Sequence, residues 1–210
     1  MSSFAAARAR AASARPPGRR RRDDVVLVDL ARGGGLDVLL GLEREEGPRW
    51  PDLALEASGV AVVGRLPSWS GVRVLSRDRR RPDPPVAVRT ELVASLANEV
   101  SFLVLDGPED EASLASADTV LLVAPRDVRS VAGVLAWRDR LAGARQDVRL
   151  VVRGPAPGGL GVLELAHVVD LPVAASGRAD RRLDSALEHG LGPPPRGPLA
   201  KLAERVLAEL

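Results

Sequence analysis

Two short apolar runs in this 210-residue sequence close on an aspartate. Val25-Val26-Leu27-Val28 ends at Asp29, and Phe102-Leu103-Val104-Leu105 ends at Asp106, followed by Gly107 and Pro108. An unbroken run of branched aliphatic residues is the pattern of a strand buried on both faces. Each carboxylate would then stand at a strand tip on a ligand-accessible edge. There it could hold Mg²⁺ through water, or orient a water for attack on a phosphate. Either aspartate alone is more simply read as a cap for the turn after its strand. Two in one chain, the second leading into Gly-Pro, are a more specific signal.

The elements that must position these tips follow from similar runs. Strands are expected at Val25 to Val28, Val72 to Ser76, Ser101 to Leu105, Thr119 to Val123, Val148 to Val152 and Leu171 to Ala175. Helices are expected at Phe4 to Arg15, which is Ala-rich and stopped by Pro16-Pro17-Gly18, and at Leu36 to Leu42, Pro85 to Val100, Val128 to Ala142, Leu160 to Val169 and Asp180 to His189. Strands alternating with helices predict an α/β fold with a doubly wound, mostly parallel sheet. Right-handed crossovers then bring the strand C-termini to one edge. Residues 1–190 read as one domain and 191–198 as a Pro/Gly linker. Residues 199–210 read as an amphipathic helix with Leu199, Leu202, Val206 and Leu210 on one face. Arg77 to Pro85 is charged and Pro-rich, the pattern of an exposed loop.

Composition narrows the function classes. Apolar residues make up 45% of the chain, ample for a core, and the length suits one domain of roughly 100–200 residues. Cysteine is absent, which excludes a disulfide framework and a thiolate metal site. Net charge is only +2, and Arg19 to Arg22 beside a Pro-Gly turn read as a solvated charge run, so a dedicated nucleic-acid surface is not indicated. His167 and His189 have no matched partners in the sequence. No apolar run approaches the ~20 residues that span a bilayer. Lys201, in the last helix, is the single lysine.

With these residues in place, a family resemblance emerges. VVLVDLARGGGLDVLLGLE is similar to the second-strand motif of the MinD/ParA ATPases, in which the CpaE-like branch carries Asp-Leu-Asp, a Gly-rich turn and Leu-Asp-x-Leu-Leu-Gly. FLVLDGPED resembles their Walker B strand, and ADTVLLVAPRDVRSVAGV the strand and helix after it. WPDL at Trp50 to Leu53, VRLVVRGPAPGGLG and LPVAASGRADRRLDSALEHG extend the likeness over nearly all of residues 2 to 207.

The resemblance implies a P-loop NTPase fold, with ATP and Mg²⁺ as cofactors. It implies a catalytic role for Asp29, cofactor contacts from Ser2, Ser3, Asp106, Gly107 and Pro108, and metal ligation by Ser2 and Asp106. Implied partners are a second copy in a homodimer, and cell-division or pilus and secretion proteins. The location implied is cytoplasmic, with peripheral membrane contact through the C-terminal helix as a further expectation. Met1-Ser2-Ser3 aligns with the end of the phosphate-binding loop, so the family's first strand and loop glycines are expected to be missing, that strand belonging between those ending at Asp106 and Pro125. A start assigned too far downstream is the first explanation and a real truncation the second. Ala31 stands where relatives carry a second aspartate, and Arg153-Gly154-Pro155 where relatives outside the branch place an adenine-contacting asparagine. Defective hydrolysis is therefore expected. The expected function is spatial regulation, in septum-site determination or in localising a Flp pilus or secretion apparatus. The competing expectations are a ParA-like DNA-binding partitioning module and a non-functional fragment.

Overall fold

Strand formation follows the apolar runs. The computed structural model describes residues 5–9, 25–31, 35–53, 60–107, 114 and 117–210. Its strands are β1 Ala5–Ala9, β2 Val25–Asp29, β3 Ser68–Trp69, β4 Val72–Leu75, β5 Phe102–Asp106, β6 Thr119–Pro125, β7 Asp147–Arg153 and β8 Val173–Gly177. They form one sheet in the order β3-β4-β2-β5-β1-β6-β7-β8. β4, β2 and β5 are mutually parallel, as are β6, β7 and β8. The helices are α1 Leu36–Leu39, α2 Trp50–Leu53, α3 Val60–Val63, α4 Val86–Glu99, α5 Val128–Arg140, α6 Val162–Val169, α7 Leu183–Glu188 and α8 Pro198–Glu209.

Both faces of the sheet are covered, because neighbouring strand residues point to opposite sides. Leu122 and Val152 join Val26, Val28, Leu103, Leu105 and Leu150 in the main core, against Leu96 of α4, Val134 of α5 and Leu165 of α6. Their neighbours Leu121 and Val151 turn the other way, with Ala175, onto Leu202 and Val206 of α8. The apolar stripe of the last helix is thus spent on the protein's own sheet. Helix and strand approach closely there: a Cβ added at Gly177 would lie 3.2 Å from Cβ of Leu202. α8 starts with Pro198 in its first turn, where the missing N–H costs nothing. α5 starts at Asp127, whose carboxylate accepts from the Ser130 N–H at 3.0 Å.

One local expectation is corrected. Within the helix expected over Phe4 to Arg15, Ala5–Ala9 is instead a strand, and residues 4 and 10–15 lie outside the described residues. β1 runs antiparallel to both neighbours, with Ala5 opposite Asp106 on one side and Leu121 on the other. It fills the slot between β5 and β6 in which the resemblance places the family's first strand. The preference of alanine for helix is below ~1 kcal/mol per residue. Two facing open edges offer a backbone hydrogen bonds worth ~0.5–1.5 kcal/mol each, and that larger sum decides.

The segment from Arg77 to Pro85 is a largely exposed loop, and ion pairs hold it. Arg77 meets Asp83 at 2.9 Å, Arg79 meets Asp37 at 2.8 Å, and Arg81 bridges Asp78 and Asp52. A hairpin also precedes β4, at a place for which the sequence raised no expectation. Ser70 (φ 50°) and Gly71 (φ 86°) form its two-residue turn, with left-handed backbone at both positions, as the twist of paired strands requires.

Candidate functional site

Asp29 and Asp106 are register partners at the ends of adjacent parallel strands. Neighbouring strands lie ~4.8 Å apart, so the sheet itself brings the two acidic tips together. The chain exits are also tied: Leu30 N–H donates to the carbonyl of Asp106 at 2.9 Å.

The two carboxylates differ in surroundings. Asp29 is buried, and its oxygens accept the N–H groups of Ala31 and Leu36, each at 3.2 Å. It therefore ties Ala31 at the exit of β2 to the start of α1, the capping role weighed from the sequence. Burial raises its pKa. The Leu36 and Ala31 N–H groups and the charge of Arg77 oppose that rise, and the charge of Asp37 adds to it. Asp106 has no donor on its carboxylate among the described residues. Burial, and then the negative charge of Asp29, push its pKa up to about 6.

Gly107 is fixed by geometry. Its φ is +67°, and a Cβ there would fall 2.7 Å from Cβ of Ala31. The methyl group of Ala31 thus packs where the resemblance expects a second carboxylate. Gly107→Ala is expected to cost about 1–3 kcal/mol, because strained backbone and overpacking coincide. A lowered denaturation midpoint at constant m-value checks this.

Several contributors were not singled out by the sequence reading. Asp37 is buried, faces Asp29 electrostatically and pairs with Arg79. Trp50 is fully buried and donates from Nε1 to the carbonyl of Asp29 at 2.8 Å. The available signals were Leu-Asp in the second-strand motif and Trp in WPDL. Ser2, Ser3 and Pro108 lie outside the described residues. Lys201 lines a cavity beside β8, four strand spacings or ~19 Å across the sheet from β5.

Among the described residues, no three His, Cys, Asp or Glu side chains converge to form a metal cage. The tips do suit Mg²⁺, which keeps several waters and takes one or two carboxylates. A desolvated carboxylate without donors, next to a second acid, gains from a divalent charge.

The architecture is that of the MinD and ParA ATPases, a P-loop NTPase fold. A ParA family ATPase from Chlorobium tepidum TLS superposes with a TM-score of 0.72 at 13% identity, over 87% of this chain and 84% of that one. The MinD cell division protein of Aquifex aeolicus gives 0.71 at 15% identity, over 88% and 83%. The septum site-determining protein MinD of Pyrococcus horikoshii OT3, complexed with Mg-ADP, gives 0.69 at 16% identity, over 89% and 82%. In sequence the chain is 40% identical over 197 residues to two uncharacterized proteins of Mycobacterium tuberculosis, Rv3660c of strain ATCC 25618 / H37Rv and MT3760 of strain CDC 1551 / Oshkosh. The match covers 89% of this chain and 56% of each relative, so the chain spans just over half the length of the curated proteins it matches. No known family profile matches the chain. No helix among the described residues is long and apolar enough to cross a membrane.

Proposed function

We propose that this chain is a spatial regulator of the MinD/ParA type, of the CpaE-like branch, acting in septum placement or in localising a pilus or secretion apparatus. The observation that carries this reading is the registered pair of acidic strand tips, Asp29 and Asp106, on a MinD-like sheet. Ligands of open α/β sheets bind outside the carboxyl ends of the strands, where these tips stand. In this reading Asp106 holds Mg²⁺ through water, and Asp29 ties the exit of β2 to the start of α1 beside it. The metal would neutralise charge on a nucleotide phosphate. Ser2, Ser3, Gly107 and Pro108 are the further nucleotide contacts that the resemblance assigns.

Slow hydrolysis fits the same geometry. Both Asp29 oxygens already accept backbone N–H groups, which leaves that carboxylate poorly placed to orient an attacking water. Ala31 contributes a methyl group where a second acid would stand. The chain then works through nucleotide-dependent association, with a second copy or with a division or pilus protein. One of the solved neighbours of Aquifex aeolicus is a complex of MinC with MinD, which supports a partner-binding role.

Calorimetry with Mg-ADP and Mg-ATP tests the reading. Saturable binding that weakens about tenfold or more in Asp106→Ala is expected, since a charge-assisted contact of that kind is lost. Absence of Mg-dependent binding would remove the nucleotide-switch role.

A further inference from the structure

A second site stands at the far end of the same strand edge. Between the ends of β6, β7 and β8 and the start of α8 lies a cavity of about 440 Å³, within the range of small-molecule sites. Four cationic side chains line it, those of Arg126, Arg178, Lys201 and Arg205, and no carboxylate does. They come from three elements distant in sequence: the β6 exit, the β8 exit and α8.

None of the four has a carboxylate partner among the described residues. Arg126 donates to the carbonyl of Leu160 at 3.2 Å, while its Nε is buried without a hydrogen-bond partner. Arg205 donates to the carbonyl of Ser176 at 3.1 Å. The side chains of Arg178 and Lys201 are exposed and have no hydrogen bond or ion pair among the described residues. The nearby acid is Asp180, one oxygen of which lies against Gly197 at the cavity rim. Its other oxygen accepts the Arg182 N–H at 3.1 Å and sits 3.6 Å from the Arg182 guanidinium, while the rim oxygen is buried with no hydrogen-bond partner among the described residues. Like charges gathered in one concavity repel, and an anion bound among them removes that cost. The N-terminus of α8 opens on the same cavity and adds positive potential.

We infer that this cavity, walled by Val152, Val162, Pro198 and Leu202 and ringed by the four cations, binds a small phosphate-bearing anion. The planar guanidinium groups suit phosphate oxygens, and Lys201 supplies a mobile point charge. This inference goes beyond the proposed regulatory role and needs no metal, since the cavity offers only cations to an anion.

Inorganic pyrophosphate is the probe, titrated by calorimetry into the full chain in excess EDTA, which silences any Mg²⁺-dependent site. Saturable binding that weakens with added salt is expected. Arg178→Gln and Lys201→Gln should each weaken it about tenfold, the loss of one charge-assisted contact, without lowering the thermal midpoint of the free protein. Arg178→Lys should recover part of the loss. Co-sedimentation with phosphatidylglycerol vesicles, against phosphatidylcholine vesicles as control, identifies the source of the phosphate. Selective sedimentation lost in the same variants assigns a lipid headgroup, and pyrophosphate binding alone assigns a soluble ligand. The inference is overturned if neither probe binds saturably, or if binding is indifferent to both substitutions.

Discussion

Asp106→Asn is expected to raise the thermal midpoint near pH 8 and to leave it almost unchanged near pH 4. The native pKa of Asp106 is about 6, above the unfolded value of 3.8. The folded state therefore holds a proton that the unfolded state has released between those values. Stability from this group is fully present below the unfolded pKa and is lost as pH rises through about 6. A shift of that size corresponds to at most ~3 kcal/mol, and the partial exposure of the carboxylate reduces it to ~1–2 kcal/mol. In a domain of this size each kcal/mol moves the midpoint by about 2–4 °C. Thermal scans of both proteins across pH measure the difference. A destabilised amide variant at alkaline pH would mean that Asp106 has a donor or cation partner in solution, and would undo the description of a strained acidic pair.

The other large effect is expected at Trp50. Its ring is fully buried in the main core, and its indole N–H satisfies the carbonyl of the residue that bears the first acidic tip. Trp50→Ala removes both and should cost ~3–5 kcal/mol. Trp50→Phe keeps most of the volume, leaves the Asp29 carbonyl without its donor, and should cost ~1–3 kcal/mol. Urea titrations order the two variants. Equal losses would show that packing alone holds the strand end, and that the hydrogen bond contributes nothing.

Much of this fold was legible in the sequence because the central strands are buried on both faces. Val25 to Asp29, Phe102 to Asp106 and Thr119 to Pro125 had to be unbroken apolar runs, and such runs are conspicuous. β8 was less so. It begins at Val173 rather than Leu171, because Asp170 turns the chain with left-handed backbone and Pro172 has no N–H to give a ladder. The adjacency of Asp29 and Asp106 could be inferred from topology alone. What surrounds them could not, since it depends on pairings across long stretches of chain. Arg79 reaches Asp37 from 42 residues away, and Trp50 reaches Asp29 from 21. The N-terminal alanines show the limit from another side. Their helical bias is local, whereas the demand of two open strand edges is set by the rest of the sheet. Lys201 was placed off the apolar stripe of its helix, but only the packing of α8 on β8 reveals that the polar flank borders a cavity.

That packing has one more consequence. Where Gly177 meets Leu202, strand and helix touch with no side chain on the strand to shift or rotate. The spacing of β8 and α8 at this wall of the cavity is therefore set by Leu202 resting on the glycine backbone. A methyl group at position 177 would act as a shim, and Leu202 would have to give by a few tenths of an ångström to admit it.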